Sequence, residues 1–178
     1  METFDVYSFP DLNRKDQLSA SKISVANDNN PEFNSVVAGW MADSHASTGC
    51  YNLACDGFVP VNNAPITPGD VLEPNNGQLK ITIKIFKVNW WLHFGYTSDD
   101  LRPVGFWPKS LFSGLADHSN LILWGGYTQS HTGYTSPPMG NGQWPGKIQH
   151  LISHKQCYQV SPFLDGMFYY GGPGNCTV

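Results

Sequence analysis

Two histidines and a cysteine form the densest group of metal-ligand side chains in the sequence. His150 and His154 are four residues apart, and Cys157 follows three residues later. On a helix or a strand this spacing places both imidazoles on one side, and imidazole with thiolate is a ligand set that zinc accepts. If Cys157 forms a disulfide, only two ligands remain. We therefore predict exposed histidines here and no metal site.

Other catalytic patterns are absent from the sequence. No Gly-x-Ser-x-Gly segment occurs, so nothing specific indicates a serine hydrolase. The glycines of residues 171–174 precede no helix that would complete a phosphate site. The chain contains three glutamates, Glu2, Glu32 and Glu73, which limits carboxylate chemistry. No cofactor is predicted.

The four cysteines indicate a disulfide-bonded protein. Cys50 and Cys55 are five positions apart, and Cys157 and Cys176 are nineteen apart. Four cysteines allow three pairings, of which we favour Cys50 with Cys55 and Cys157 with Cys176; four reduced cysteines are the alternative. Asn175 begins an Asn-Cys-Thr glycosylation sequon. Both features favour an extracellular protein, although residues 1–6 do not resemble a signal peptide.

Composition excludes several classes of protein. The 178 residues include 18 Gly and 13 Pro but only 13% charged residues, which disfavours helical bundles and charged disordered tails. A net charge of -4 with 10 Lys and Arg gives no basic patch, so we expect neither nucleic acid nor a membrane as partner. The length is typical of one domain.

Turn residues recur along the chain at the spacing of an all-β sandwich or barrel. Residues 79–88 alternate apolar side chains with Lys80, Thr82 and Lys84, which predicts a strand with one buried and one solvated face. Further strands are predicted over residues 35–41, 90–96, 121–127 and 167–170. One short helix is predicted over residues 108–115, and a surface loop over residues 137–146.

Several ordered motifs resemble one known family. They are Ala38-Gly39-Trp40, residues 48–59, Asn89-Trp90-Trp91-Leu92, Val104-Gly105-Phe106-Trp107-Pro108, Leu111-Phe112, Trp124-Gly125-Gly126, Pro138-Met139-Gly140 and residues 168–174. Their order and spacing resemble the C-terminal domain of the neprosin family, plant secreted glutamic peptidases that cleave at proline. The resemblance runs from about Asp16 to the end and implies an antiparallel, jelly-roll-like β-sandwich. It also agrees with the favoured cysteine pairing.

The resemblance implies two catalytic glutamates, one activating water and the other donating a proton. In the family pattern one precedes Ala-Gly-Trp and the other follows Trp-Gly-Gly. Here these positions are Val37 and Tyr127. Glu32 or Asp43 are the candidate substitutes, but Glu32 is five residues from Val37 and an odd shift along a strand reverses the face. We therefore expect at most residual activity.

Tryptophans are the remaining candidate ligand contacts. Trp40 and Trp124 lie next to the two family positions, and with Trp91 they are candidates to line a cleft that stacks on proline rings or sugars. Burial in the core is the alternative for each of them. Trp144 lies in the predicted loop and is expected to be exposed.

Together these observations predict a secreted, monomeric neprosin-like domain over residues 16–178, with residues 1–15 as an extension and early strands of the sandwich missing. It would be a non-catalytic homologue that binds an extended proline-containing peptide or a cell-wall polymer, or one with no remaining function. The alternative is an active acid prolyl endopeptidase that uses other carboxylates. A truncated chain without a stable fold is the third interpretation.

Overall fold

The computed structural model describes residues 1–13, 15–29, 33–42, 57–72, 79–145 and 156–177. Its ten strands, in chain order, are β1 (Glu2–Val6), β2 (Gln17–Asn27), β3 (Asn34–Ala42), β4 (Val59–Pro60), β5 (Leu79–Phe86), β6 (Trp90–Gly95), β7 (Arg102–Trp107), β8 (Leu121–Ser130), β9 (Gln159–Val160) and β10 (Tyr170–Gly171). A 3-10 turn at Lys109–Leu111 and a single turn of helix, α1 (Gly114–Asp117), separate β7 from β8.

The strands form three antiparallel groups. A five-stranded sheet has the order β1-β5-β6-β7-β4, a three-stranded sheet the order β3-β2-β8, and a small sheet pairs β9 with β10. The two larger sheets make an all-β sandwich, which confirms the predicted fold class.

The chain divides into two compact units. The first contains residues 1–6, 22–39 and 48–124, and the second contains residues 7–21, 40–47 and 125–178. The five-stranded sheet belongs entirely to the first unit, whereas each strand of the three-stranded sheet contributes residues to both.

The core of the first unit is built on β5. Ile81, Ile83 and Ile85 alternate along the strand and are buried, as the sequence pattern predicts. The prediction that Thr82 is solvated is wrong: Thr82 is fully buried, and its Oγ1 lies 3.0 Å from Oγ1 of Thr3 on β1. Thr3 lies opposite Thr82 in the pairing of β1 with β5, and the hydroxyl-hydroxyl bond satisfies both polar groups.

Polar side chains fix the connection between β7 and β8 within the first unit. The Trp90 indole N–H donates to the carbonyl oxygen of Leu115 at 2.9 Å, and Leu115 is fully buried. Oδ1 of Asn34 accepts from both the backbone N–H and the hydroxyl of Ser113 at 3.0 and 2.8 Å. Nδ2 of buried Asn27 donates to the carbonyl of His118 at 3.0 Å. This connection is therefore bound to side chains of β2, β3 and β6.

Most predicted strands are confirmed, with changed limits. Those over residues 35–41, 79–88, 90–96 and 121–127 correspond to β3, β5, β6 and β8. The prediction of a strand over residues 167–170 is wrong except at Tyr170, where β10 begins. Asp165 and Gly166, just before this segment, take positive φ values of 51° and 76° and form a tight turn. That turn pairs Leu164 with Met167 alone.

Two other predictions need correction. The helix over residues 108–115 is replaced by the 3-10 turn and α1, and neither begins with a side-chain cap. Part of the predicted surface loop is buried, including Pro137 and Met139. Its polar backbone is satisfied because Met139 and Gly172 exchange two backbone hydrogen bonds at 3.0 and 3.2 Å.

Candidate functional site

Val37 lies in the middle of β3 with its side chain turned to solvent. Val36 before it and Trp40 after it are buried, and Val37 is 44% exposed. This is the period-two alternation of a strand with one covered face. The residue expected at the first family position thus presents a branched alkyl group on the solvent-facing side of β3. A valine there neither accepts nor donates a proton.

Tyr127 lies on β8 and is 40% exposed. Its hydroxyl donates to Oε1 of Gln129 at 3.1 Å, and the two residues share a side of the strand because they are two positions apart. A phenolic hydroxyl cannot replace a carboxylate in a pair of carboxyl groups that share a proton. At the position expected for the second family glutamate, the chain therefore has no carboxylate.

The structure explains why the Trp-Gly-Gly motif before Tyr127 contains two glycines. Gly125 has a φ of 149°, a backbone angle that residues with a Cβ rarely adopt. A Cβ on Gly126 would lie 2.6 Å from Sδ of Met139 and 2.7 Å from the ring of Tyr170. The motif allows β8 to approach these two side chains closely within the second unit.

Charge is nearly absent from the three-stranded sheet. Strands β2, β3 and β8 contain no Asp and no Glu, and Lys22 is their single charged residue. A carboxylate pair that shares protons and splits its pKa values cannot form from the side chains of these strands. Of the proposed substitutes, Glu32 and Asp43 lie outside the described residues, as does Glu73. Glu2 is on β1, where partial burial raises its pKa.

The tryptophan candidates occupy different environments. Trp40 is buried, stacked on Phe9 and edge-on to Tyr7, each with ring centroids 6.3 Å away. Trp91 is half-buried against Phe106 at 4.9 Å. Trp124 is 44% exposed on β8. Of the three, Trp124 has the surface that a ligand needs, and the packing of Trp40 favours the core interpretation. Trp144 is also exposed.

Sequence reasoning missed the exposed apolar segment before Trp124. Ile122 and Leu123 are each at least half exposed, and no residue of β8 is buried. The sequence contains one indication of this segment, because the run Leu-Ile-Leu-Trp does not alternate with polar residues. Such a run fits a core strand equally well, and sequence alone does not separate the two.

A disulfide joins Cys157 to Cys176, with Cα atoms 5.9 Å apart. Cys157 is buried with Met139 and Tyr158, whose hydroxyl donates to the carbonyl of Pro137 at 2.7 Å. Because its sulfur is bonded, Cys157 offers no thiolate to a metal. His150 and His154 lie outside the described residues, as do Cys50 and Cys55. Asn175 is exposed next to the disulfide.

These features define a class of protein, an antiparallel β-sandwich stabilised by a disulfide. No helix among the described residues is long and apolar enough to cross a membrane. The family model Neprosin matches residues 39–150, which is more than half of the chain. The chain belongs to the neprosin family of peptidases. Tyr127 and the three tryptophan candidates lie inside the match, and Val37 lies two residues before it.

Proposed function

We propose that this chain is a non-catalytic member of the neprosin family that binds an extended ligand. The observation that carries the proposal is the absence of any carboxylate from the three strands of the sheet that holds Val37 and Tyr127. A glutamic peptidase needs one carboxylate to activate water and a carboxylic acid to protonate the leaving group. Loss of one member of such a unit already removes most of the rate, so loss of both leaves little.

Cleavage of a proline-containing peptide at acidic pH tests this proposal. We compare the unmodified protein with the double variant Val37→Glu/Tyr127→Glu and with a matched control, Val37→Gln/Tyr127→Gln. Glutamine has nearly the shape of glutamate but does not titrate, so the control separates carboxylate chemistry from polarity. Both sites are exposed, and each pair of substitutions should leave the fold intact.

The unmodified protein and the glutamine variant are expected to be silent, and the glutamate variant to cleave. Acid-dependent cleavage by the unmodified protein would overturn the proposal and support substitute carboxylates. Silence from all three proteins would contradict our assignment of the loss to these two positions.

The proposed ligand is an extended proline-containing peptide or a cell-wall polymer. Trp124 supports this, because an exposed indole stacks on proline rings and on sugars with little loss of side-chain freedom. Binding is measured by calorimetry with a proline-rich peptide and with a soluble cell-wall polysaccharide. Trp124→Ala should weaken binding severalfold, while the equally exposed Trp144→Ala should not. Unchanged binding by Trp124→Ala would exclude Trp124 from the proposed surface.

We propose further that the protein is secreted and monomeric. The Cys157–Cys176 disulfide supports secretion, because such bonds persist in oxidising compartments.

A further inference from the structure

The sequon Asn175-Cys176-Thr177 is the single Asn-x-Ser/Thr sequence in the chain, and one of its residues is half of the disulfide. Asn175 and Thr177 are exposed, while Cys176 between them is half-buried and bonded to buried Cys157. A glycan on Asn175 would therefore extend into solvent without displacing the cluster around the disulfide.

The backbone of the sequon is paired with a neighbouring segment in the folded chain. The N–H of Asn175 donates to the carbonyl of Ser136 at 2.8 Å, and the N–H of Cys176 donates to the Ser136 hydroxyl at 3.1 Å. Ser136 returns a hydrogen bond from its own N–H to the carbonyl of Cys176 at 2.9 Å. Thr177 forms an antiparallel bridge with Thr135.

These bonds conflict with enzymatic recognition of the same three residues. A transferase that reads both the amide of Asn175 and the hydroxyl of Thr177 must hold the intervening backbone in its own site. In the folded chain that backbone is paired with Thr135 and Ser136, and the disulfide holds Cys176 against buried Cys157. Asn175 also has a positive φ of 59°, a conformation fixed by the fold.

We infer that Asn175 is an N-glycosylation site that accepts its glycan only before the Cys157–Cys176 disulfide closes. The amide nitrogen of Asn175 attacks C1 of the first sugar of a lipid-diphosphate-linked oligosaccharide. The N–C1 bond forms, the bond from C1 to the diphosphate oxygen breaks, the lipid diphosphate leaves, and one amide proton passes to a base. The order of the two modifications then decides whether the protein carries the glycan.

The test uses the full chain purified without glycan, in an oxidised folded form and in a reduced unfolded form. Each is incubated with solubilised oligosaccharyltransferase and its lipid-linked donor, and the product is read as a mass shift that peptide N-glycosidase reverses. The reduced chain should be modified severalfold more than the oxidised chain. Asn175→Gln and the isosteric Thr177→Val should abolish the shift in the reduced chain, and Thr177→Ser should retain it.

A second comparison isolates the disulfide. Cys157→Ser leaves the sequon unchanged and removes the bridge, so under oxidising conditions this variant should accept more glycan than the unmodified chain. Removal of Cys50 and Cys55 together serves as the matched control and should not have this effect. Absence of a mass shift in the reduced chain would show that Asn175 is not a glycosylation site. Equal modification of the oxidised and reduced chains, or of Cys157→Ser and the control, would show that glycosylation does not have to precede the disulfide.

Discussion

The two larger sheets differ in how their edges meet solvent. At one edge of the five-stranded sheet, β1 carries Glu2 and Asp5, and Asp5 lies 3.6 Å from Nζ of Lys80. At the other edge, β4 is two residues long and ends in Pro60, which has no backbone donor. Charged side chains, a short edge strand and a proline each hinder the pairing of a sheet edge with another chain.

Strand β8, at one edge of the three-stranded sheet, has none of these three features. This strand is ten residues long, contains no charge and no proline, and has β2 as its one sheet neighbour among the described residues. Ile122, Leu123 and Trp124 are exposed in succession. Val37 on β3 and Tyr127 on β8, the two residues expected at the family positions, belong to the same sheet.

The largest expected contrast is between two isoleucines. Ile81 is 1% exposed in β5 and Ile122 is 50% exposed in β8. Ile81→Ala should destabilise the protein by about 2–5 kcal/mol, because it removes buried methyl groups and leaves a cavity. Ile122→Ala should change stability by less than about 0.5 kcal/mol. Urea unfolding measures both, and similar losses would show that β8 is covered in solution.

Two tryptophans provide the next contrast. The Trp90 indole donates to a buried carbonyl, whereas the Trp40 indole N–H is buried and has no acceptor among the described residues. Trp90→Phe should cost about 1–3 kcal/mol beyond the change in ring size, because the Leu115 carbonyl loses its donor. Trp40→Phe should cost less. A larger loss at Trp40 in thermal or urea unfolding would indicate an acceptor for its indole N–H.

A pH effect on stability is expected from the five-stranded sheet. Partial burial, followed by the charge of Lys84, lowers the pKa of His93 from its usual value of 6.5. The unfolded chain then binds the proton more tightly than the folded chain. Stability should fall as the pH drops below about 6.5 and level off below the folded pKa of His93.

His93→Gln should reduce this slope the most, and Lys84→Gln should reduce it in part, since Lys84 is the second cause. The free energy of unfolding is measured between pH 8 and pH 5 for all three proteins. An unchanged slope in His93→Gln would assign the effect to other groups.

The smallest expected effect on stability comes from charging β8. Leu123→Lys should change the free energy of unfolding by less than about 0.5 kcal/mol, since the side chain is exposed. It should nevertheless reduce light scattering on heating, because a charge on an edge strand opposes pairing between copies. The matched control is Val88→Lys, which charges an exposed apolar residue in the turn after β5. Equal reductions in both variants would show that net charge, and not the edge, is responsible.

The sequence predicts those features of the fold that depend on neighbouring residues better than those that depend on residues far away in the chain. The alternation of Ile81, Ile83 and Ile85 correctly predicts β5, but the burial of Thr82 depends on β1, which is 79 residues away from it in sequence. Strands β1 and β2 were not predicted. β2 carries several small polar residues, and Ser19, Ser21 and Ser24 are buried nonetheless. Their burial follows from the central position of β2 in its sheet, which no local pattern encodes.

The candidate site follows the same rule. The assignment of Val37 and Tyr127 to the family positions rests on neighbouring motifs and remains a prediction, whereas the pairing of Cys157 with Cys176 is confirmed. The exposure of Trp124 and the burial of Trp40 could not be predicted, because both depend on which side of a strand is covered by distant residues. The boundary between residues 15 and 16 remains a prediction, although Glu2–Val6 pairs with β5.

The side chains that bind the connection between β7 and β8 also set the order in which the first unit completes its fold. Asn27 finds its partner 91 residues later in sequence, and Asn34 finds Ser113 79 residues later. At synthesis rates of 5–20 residues per second, these partners emerge about 4–20 s after the asparagines. During that interval β2 and β3 lack these hydrogen bonds to the connection between β7 and β8. High contact order of this kind slows folding, so the first unit closes late and as a whole.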